Sequence, residues 1–368
     1  MVTSYLIPGI YREDLFPKPI PEFLTGVPAF IGFASQGTIN QPERLTLWTQ
    51  FSARFGEPVS EGYLSDAVQG FFSNGGHIAY VIRLNDTLEI EAALEQALEA
   101  LATINALDLI CVPDLVRFDV ETVLRMQTQL LEHCQALNDR FAILDALPTQ
   151  VLVQQARLSS SECAAFGALY FPWVQVGSRM IPPCGHIAGI YAQRDRDLGV
   201  GQTPANIRLE EVVDLSVAVS DADQARLNPL GINCLRSLPG RGIRIWGGRT
   251  LSTDANWRYI NMRRLFVTLA RWCDRTFADV AFEPNEFRLW VRIERELTAF
   301  CEALFRQGAL QGSTPAEAFY VKCDAETNPP EVRDAGTVIT EIGLAPASPA
   351  EFIVVRLIHG NAGVAFAF

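Results

Sequence analysis

Between residue 88 and about residue 200 the chain alternates amphipathic helices with short, unbroken apolar runs, and nothing else in it constrains the fold as much. Leu94, Leu98, Leu101 and Ile104 share one helical face ahead of the apolar run 107–112. Asp119 is placed to cap a helix whose inner face carries Val120, Val123, Leu124, Leu130, Leu131, Cys134 and Leu137. Two further apolar runs follow, 141–147, closed by Pro148, and 168–176. Strands apolar on both faces and separated by helices belong in a parallel sheet covered on both sides. Upstream, 27–33 and 79–84 read as buried strands. Short helices at 45–55 and 63–72 lie between them, and Asn74-Gly-Gly reads as a turn.

The two ends break this pattern. Residues 8–15 are β-competent but are followed by Pro17, Pro19, Pro21 and Pro28. Proline lacks the N–H and fixes φ, so this is an extended arm with one short strand. At the other end Pro346 and Pro349 cut off a last strand at 351–358, and the run from Gly360 to Phe368 reads as a loose or docked tail. Before it, helices are expected at 260–273 and 285–307, and strands at 318–323 and 337–344. Residues 241–306 carry twelve arginines, no lysine and eight acids, a balance of +4 within a chain of net charge −12.

Composition narrows the function. A length of 368 residues exceeds one compact core and predicts two domains. With 49% apolar and 20% charged residues the chain folds as a soluble protein. The acidic balance argues against nucleic acid as partner. Eight cysteines are scattered with no C-x-x-C pair and no histidine at metal spacing, so they read as buried small hydrophobes in a reducing compartment. No basic-then-apolar leader opens the sequence, and no run approaches the ~18 apolar residues of a bilayer span. Synthesis in a cytoplasm without membrane insertion is the expectation.

A parallel α/β pattern invites an enzyme reading. Gly199-Val-Gly201 and Gly240-Arg-Gly242 each lack the third glycine of a phosphate loop, and the serine elbow G-x-S-x-G is absent. Asp114 and Asp145 end strands, where α/β enzymes place acids, and His186 follows Pro182-Pro-Cys-Gly. A hydrolase built on Asp145 and His186 is the alternative these residues allow, but no serine sits in a turn that would expose it. Read structurally, Asp114 and Asp145 cap the segments that follow them. No catalytic residue, cofactor or metal is expected.

Several motifs resemble the tail sheath proteins of contractile phages and phage-derived extracellular injection systems. Pro8-Gly-Ile-Tyr-Arg-Glu-Asp is similar to the family's N-terminal P-G-V-Y-x-E strand, and Gly26-Val-Pro-Ala-Phe-Ile-Gly-Phe to its first core strand. Phe71-Phe-Ser-Asn-Gly-Gly-His-Ile-Ala-Tyr-Val-Ile-Arg resembles F-F-x-N-G-G-x-x-A-Y-V-x-R. The strongest match is Pro239-Gly-Arg-Gly-Ile-Arg-Ile-Trp-Gly-Gly-Arg-Thr-Leu. Trp257-Arg-Tyr-Ile-Asn-Met-Arg-Arg-Leu-Phe, Phe319-Tyr-Val-Lys-Cys-Asp and Ala350-Glu-Phe-Ile-Val-Val-Arg continue in order. Residues 86–170 are the least family-like, and Gln202 stands where the family pattern has a lysine.

The resemblance implies an α/β fold in which an outer domain of subtilisin-like topology, lacking an active site, is inserted in an inner α+β domain. The expected boundaries are an N-terminal arm at 1–28, the outer variable domain at 29–238, the inner tube-facing domain at 239–345 and a C-terminal arm at 346–368. Arm residues Pro8, Gly9, Ile10 and Tyr11, and Glu351, Phe352, Ile353, Val354 and Val355, would pair with neighbouring subunits. Arg288, Arg292 and Arg295, at spacings of four and three on one helical face, are the expected tube contacts. The implied partners are further copies in stacked helical rings, an inner tube protein, and baseplate and terminal cap proteins. Assembly would occur in a bacterial cytoplasm, the product being part of a phage tail or injection particle, released or membrane-anchored through other components. Another tail structural protein is a further alternative.

Overall fold

The computed structural model describes residues 24–148, 152–280 and 282–351, together with the backbone of two strands near the C-terminus. In chain order the first elements are β1 (Pro28–Gly32), β2 (Glu43–Leu45), α1 (Thr49–Phe55), α2 (Leu64–Ser73), β3 (Ala79–Arg83) and α3 (Ile90–Ala102). Then come β4 (Leu109–Cys111), α4 (Val120–Leu137), β5 (Phe141–Asp145), the single turn α5 (Leu152–Gln155) and β6 (Gly167–Phe171). As the sequence anticipates, the Asp119 side chain accepts from the N–H groups of Glu121 and Thr122 and so caps α4.

The apolar run 168–176 is two strands. Pro172 has no N–H to continue the ladder, so the chain leaves the main sheet after Phe171. It re-forms as β7 (Val174–Val176), which pairs with β8 (Arg179–Ile181) and β9 (Asp214–Leu215) in a small antiparallel sheet. Between β8 and β9 runs α6 (Cys184–Leu198), and after β9 come α7 (Asp221–Leu227), β10 (Ile232–Leu238) and β11 (Gly242–Trp246).

The main sheet has eight strands in the order β11-β10-β6-β5-β4-β1-β3-β2. β1, β3, β4, β5, β6 and β10 are parallel, while β2 and β11 run antiparallel at the edges. The second parallel strand, β3, lies on one side of β1 and the third, β4, on the other, the reversal of a doubly wound sheet. The two-residue period divides β1 between two cores. Ala29 and Ile31 meet α3 and α4 residues such as Leu94, Leu98, Leu130 and Leu131. Phe30 faces the opposite way, toward Phe51, Phe55, Val68, Phe71 and Ile187 of α1, α2 and α6.

Two expected boundaries cut through paired strands. The one after residue 28 falls inside β1, between β3 and β4, and the one after residue 238 falls in the β10–β11 turn. Arg236 stands opposite Arg244 in that hairpin, so 242–246 belong to the central sheet. Neither β10 nor β11 stands out in the sequence as an apolar run.

Beyond the sheet, α8 (Ile260–Thr276) and α9 (Phe287–Arg306) precede the two-stranded antiparallel sheet of β12 (Phe319–Lys322) and β13 (Glu341–Leu344). α8 contributes Ile260 and Val267 to the two faces of the main sheet and Leu265 and Leu269 to two smaller cores shared with α9. The C-terminal segment also departs from expectation. Its strand is β14 (Arg356–Gly360), and the supposed tail is a second strand, β15 (Gly363–Ala367), antiparallel to the first with Arg356 opposite Ala367. Glycine and alanine are poor strand formers, which hid β15 from the sequence.

Candidate assembly surfaces

The acids and histidine of the enzyme reading are brought into the core but not into a catalytic arrangement. At the C-terminal ends of β1 and β4, where doubly wound folds bind ligands, the buried Asp114 carboxylate accepts from Phe33 N–H at 2.7 Å and Tyr63 N–H at 2.6 Å. Asp145 accepts from Cys184 N–H at 2.8 Å, and burial pushes its carboxyl up to about 7. Both carboxylates therefore satisfy backbone donors distant in sequence rather than capping the next segment, a correction to the sequence reading. Asp145 serves the first residue of α6, where unpaired N–H groups need an acceptor. His186 is 1% exposed, neither ring nitrogen has a hydrogen-bond partner, and burial pushes its pKa down to about 4. A β-carbon on Gly70 would lie 2.4 Å from that ring, so α2 and α6 meet there at glycine distance. All eight cysteines are free, and seven of them are buried.

Two arginines of the basic stretch, Arg264 and Arg271, are buried rather than solvated. Arg264 of α8 is 2% exposed. Its Nη1 donates to Asp195 Oδ1 at 2.8 Å and its Nη2 to Asp108 Oδ2 at 2.9 Å. Asp108 also accepts from Gly26 and Val27 N–H, at 2.9 and 2.6 Å. The guanidinium lies 4.9 Å from the ring centroid of Tyr191, whose hydroxyl bonds that of Tyr170 at 2.7 Å. Burial opposes the charge on Arg264, but Asp195 and Asp108 outweigh it and hold its pKa above the usual value. Arg271, two turns further along the same face of α8, donates to the carbonyls of Leu24, Asn105 and Ala106. Sequence reasoning missed this group, yet a signal was present. Ile260, Arg264, Val267, Thr268 and Arg271 share the spacing of a core face, and an arginine there has to find carboxylates or carbonyls.

On α9, Leu289, Trp290, Ile293, Leu297 and Leu304 are buried as the periodicity predicts. The three arginines on its other side do not behave alike. Arg292 is held by Asp279, Glu283 and Glu296, at 2.9, 2.7 and 3.2 Å. Hydrogen bonds to Asp279 and Glu296 lead in raising its pKa. Arg288 and Arg295 are exposed and form no ion pair among the described residues. Phe287 and Val291 of the same helix are also exposed.

The C-terminal segment stays on its own subunit as far as Glu351. Ala345 N–H donates to Ala318, Ala347 N–H donates to Ala309, and Asn261 Nδ2 reaches the Ala347 carbonyl at 2.8 Å. Glu351, expected among the arm residues that meet a neighbour, is paired with Arg249 of the same chain through two nitrogens. Pro8, Gly9, Ile10, Tyr11, Phe352, Ile353, Val354 and Val355 lie outside the described residues. The β12–β13 sheet has two strands and hence two unpaired edges among the described residues.

A doubly wound domain whose buried acids are committed to backbone donors, tied by buried arginines to a section with open strand edges, has the build of a structural subunit. Residues 90–251 match the phage tail sheath protein central domain and residues 252–358 the phage tail sheath C-terminal domain; the chain belongs to the phage tail sheath family. It is 24% identical over 230 residues to the tail sheath protein of Vibrio phage KVP40. It is 28% identical over 197 residues to a putative prophage major tail sheath protein of Pseudomonas aeruginosa. These matches span 33% and 48% of the relatives' lengths. Among solved structures it resembles the anti-feeding prophage helical sheath in the contracted state, with a TM-score of 0.79 and 28% identity over 97% of this chain and 100% of that one. A PVC sheath complex, also contracted, gives 0.78 and 27% over 98% and 99%. A sheath tail protein of Desulfitobacterium hafniense, 10% identical with a TM-score of 0.63, shares the fold. No helix among the described residues is long and apolar enough to cross a membrane.

Proposed function

We propose that this protein is the sheath subunit that polymerises in stacked rings around an inner tube and shortens to drive that tube through a target envelope. The observation that carries this reading is the near full-length likeness to a subunit of a contracted helical sheath. The unpaired edges of β12–β13 suit the addition of extended arms from neighbouring copies, because main-chain hydrogen bonds survive large rotations of the bodies they join. The central part, including β10 and β11, is then the outward domain, subtilisin-like and without catalysis. The section from about residue 252 faces inward. Within it, Arg288 and Arg295 with Phe287 and Val291 form the tube contact, while Arg292 braces α9. Assembly takes place in the bacterial cytoplasm, on a baseplate and beneath a cap.

A place at the baseplate end is a second reading, favoured by likeness to a chain of the anti-feeding prophage baseplate, 28% identical with a TM-score of 0.78. The test is electron microscopy of the protein expressed with its tube and baseplate components. Striated sheaths that shorten on triggering support the first reading. Incorporation limited to a single ring at the baseplate supports the second, and compact monomers in every preparation defeat both.

A further inference from the structure

Three arginines stand side by side across one edge of the main sheet. Arg236 of β10 is directly opposite Arg244 of β11, and Arg244 is directly opposite Arg208 of the overlying segment 206–209. Residues so placed project from one face with their β-carbons about 5 Å apart. Arg241 adds a fourth guanidinium at the hairpin turn, its Nη2 donating to Asn206 Oδ1 at 3.0 Å. Like charges opposite one another destabilise a sheet, so the row works against its own strands. Little on the same chain offsets it. Arg244 donates only to the carbonyls of Arg241 and Asn206, at 3.0 and 2.6 Å, and neither Arg244 nor Arg241 forms an ion pair among the described residues. Arg236 reaches Asp221 at 2.7 Å and Arg208 reaches Glu210 at 3.9 Å, both carboxylates being exposed.

A second array of one sign runs along α3. Glu91, Glu95 and Glu99 recur every four residues, outside the buried face that carries Leu94 and Leu98. Arg125 holds Glu91 at 2.8 Å, whereas Glu95 and Glu99 are exposed and form no ion pair among the described residues. Such glutamates repel one another along the helix, and their β-carbons are about 5–6 Å apart, close to the spacing of the arginine row.

Row and stripe lie on the same side of the main sheet, because Ile232, on the face of β10 that carries Arg236, joins the core of Leu94 and Leu98. They cannot meet within one chain. α3 packs on β1, which stands five places from β11 in the sheet, roughly 24 Å away. Complementary patches at different places on one molecule join copies head to tail, which builds rings or helical filaments. Copies of net charge −12 repel over most of their surface, so contacts that set opposite charges face to face are favoured.

We propose that the arginine row of one copy docks on the α3 glutamate stripe of the next. This rests on the reading of the chain as a polymerising sheath subunit, and it adds a surface by which the central domains of adjacent copies engage. The guanidinium forks of Arg208, Arg241 and Arg244 take the carboxylates of Glu95 and Glu99, which relieves both like-charge arrays together.

The test is charge exchange. One variant carries Arg208→Glu, Arg241→Glu and Arg244→Glu, so that its row and its stripe are both acidic. The other carries Glu95→Arg and Glu99→Arg, so that both are basic. Each alone, melting as wild type does, should need about tenfold more protein to assemble with tube and baseplate components. Mixed one to one, they should assemble near the wild-type concentration, because each row then meets a stripe of opposite sign. Wild-type assembly by either variant alone, or a mixture no better than its parts, overturns the docking and leaves the sheath reading standing. Wild-type protein that never assembles overturns both. If the arginine variant does not fold, Glu95→Gln with Glu99→Gln takes its place. That protein should melt no lower than wild type yet need about tenfold more material to assemble, and normal assembly by it overturns the proposal.

Discussion

Arg264 on α8 and Asp195 on α6 form a two-pronged ion pair in the interior, Nη1 to Oδ1 at 2.8 Å and Nη2 to Oδ2 at 2.5 Å, across the junction of the two sections of the family. With Asp108 as the second acceptor, removal of the arginine strands two buried carboxylates. Arg264→Ala should lose about 3–5 kcal/mol in urea unfolding, and Asp195→Asn less, because Asp108 still balances the charge. Equal stability of Arg264→Ala and wild type would show that the triad contributes nothing to the junction.

Gly70 of α2 lies directly against the ring of His186 on α6. Gly70→Ala should cost about 1–3 kcal/mol through overpacking. Adding His186→Ala to it should recover part of that loss, which a double-mutant cycle of melting curves would detect. If the two changes are simply additive, the ring and the glycine are not in contact.

Asp145 and His186 pull stability in opposite directions with pH. Burial raises Asp145 from 3.8 to about 7, so the folded state holds that proton more tightly, and the contribution is lost as pH rises from about 4 to 7. Burial lowers His186 from 6.5 to about 4, so its contribution is present above about 6.5 and lost as pH falls toward 4. Asp145→Asn keeps an acceptor for Cys184 N–H but no longer titrates. Its melting temperature should therefore fall progressively further below wild type as pH drops from about 7 to 4. Parallel melting curves across that window would refute the assignment.

The arginines of α9 should separate by role. Arg288→Glu with Arg295→Glu should weaken co-sedimentation with the tube, and added salt should weaken the wild-type contact. Arg292→Gln should lower the melting temperature and leave tube binding in place, since three carboxylates of its own chain already occupy it. The reverse pattern would make Arg292 the contact.

The grip of Arg249 on Glu351 sets where a truncation should be made. A chain ending at Glu351 should melt cooperatively, as wild type does, yet fail to form sheaths. A chain ending at Pro349 should melt lower, because Arg249 loses its partner. Normal-length sheaths from either would remove the arm from the assembly.

The parallel sheet was legible because its strands are buried on both faces, so Leu109, Ile110 and Cys111 announce themselves by apolarity alone. The helices of its two faces followed from the 3.6-residue period, and the α4 cap from Asp119. Strands of mixed polarity were not legible. β10 and β11 carry Asn233, Arg236 and Arg244, whose positions make sense only against their partners. Asp114 and Asp145 were found but given neighbours in sequence, whereas their N–H partners at Phe33, Tyr63 and Cys184 arrive by folding. Arg264 entered the sequence reading only within a net balance, which cannot say which face of a helix an arginine occupies.

Both flanks of the main sheet are blunted. β2 is three residues long with Glu43 and Arg44 on it, and β11 is overlaid by 206–209, where Asn206 and Leu209 donate to Ile245 and Ile243. Long bare flanks recruit any passing strand, and a protein made in many copies spends time crowded among its own kind. Closing them leaves open edges only on the smaller sheets among the described residues, so crowding has little purchase on the main sheet for indiscriminate cross-β clumping.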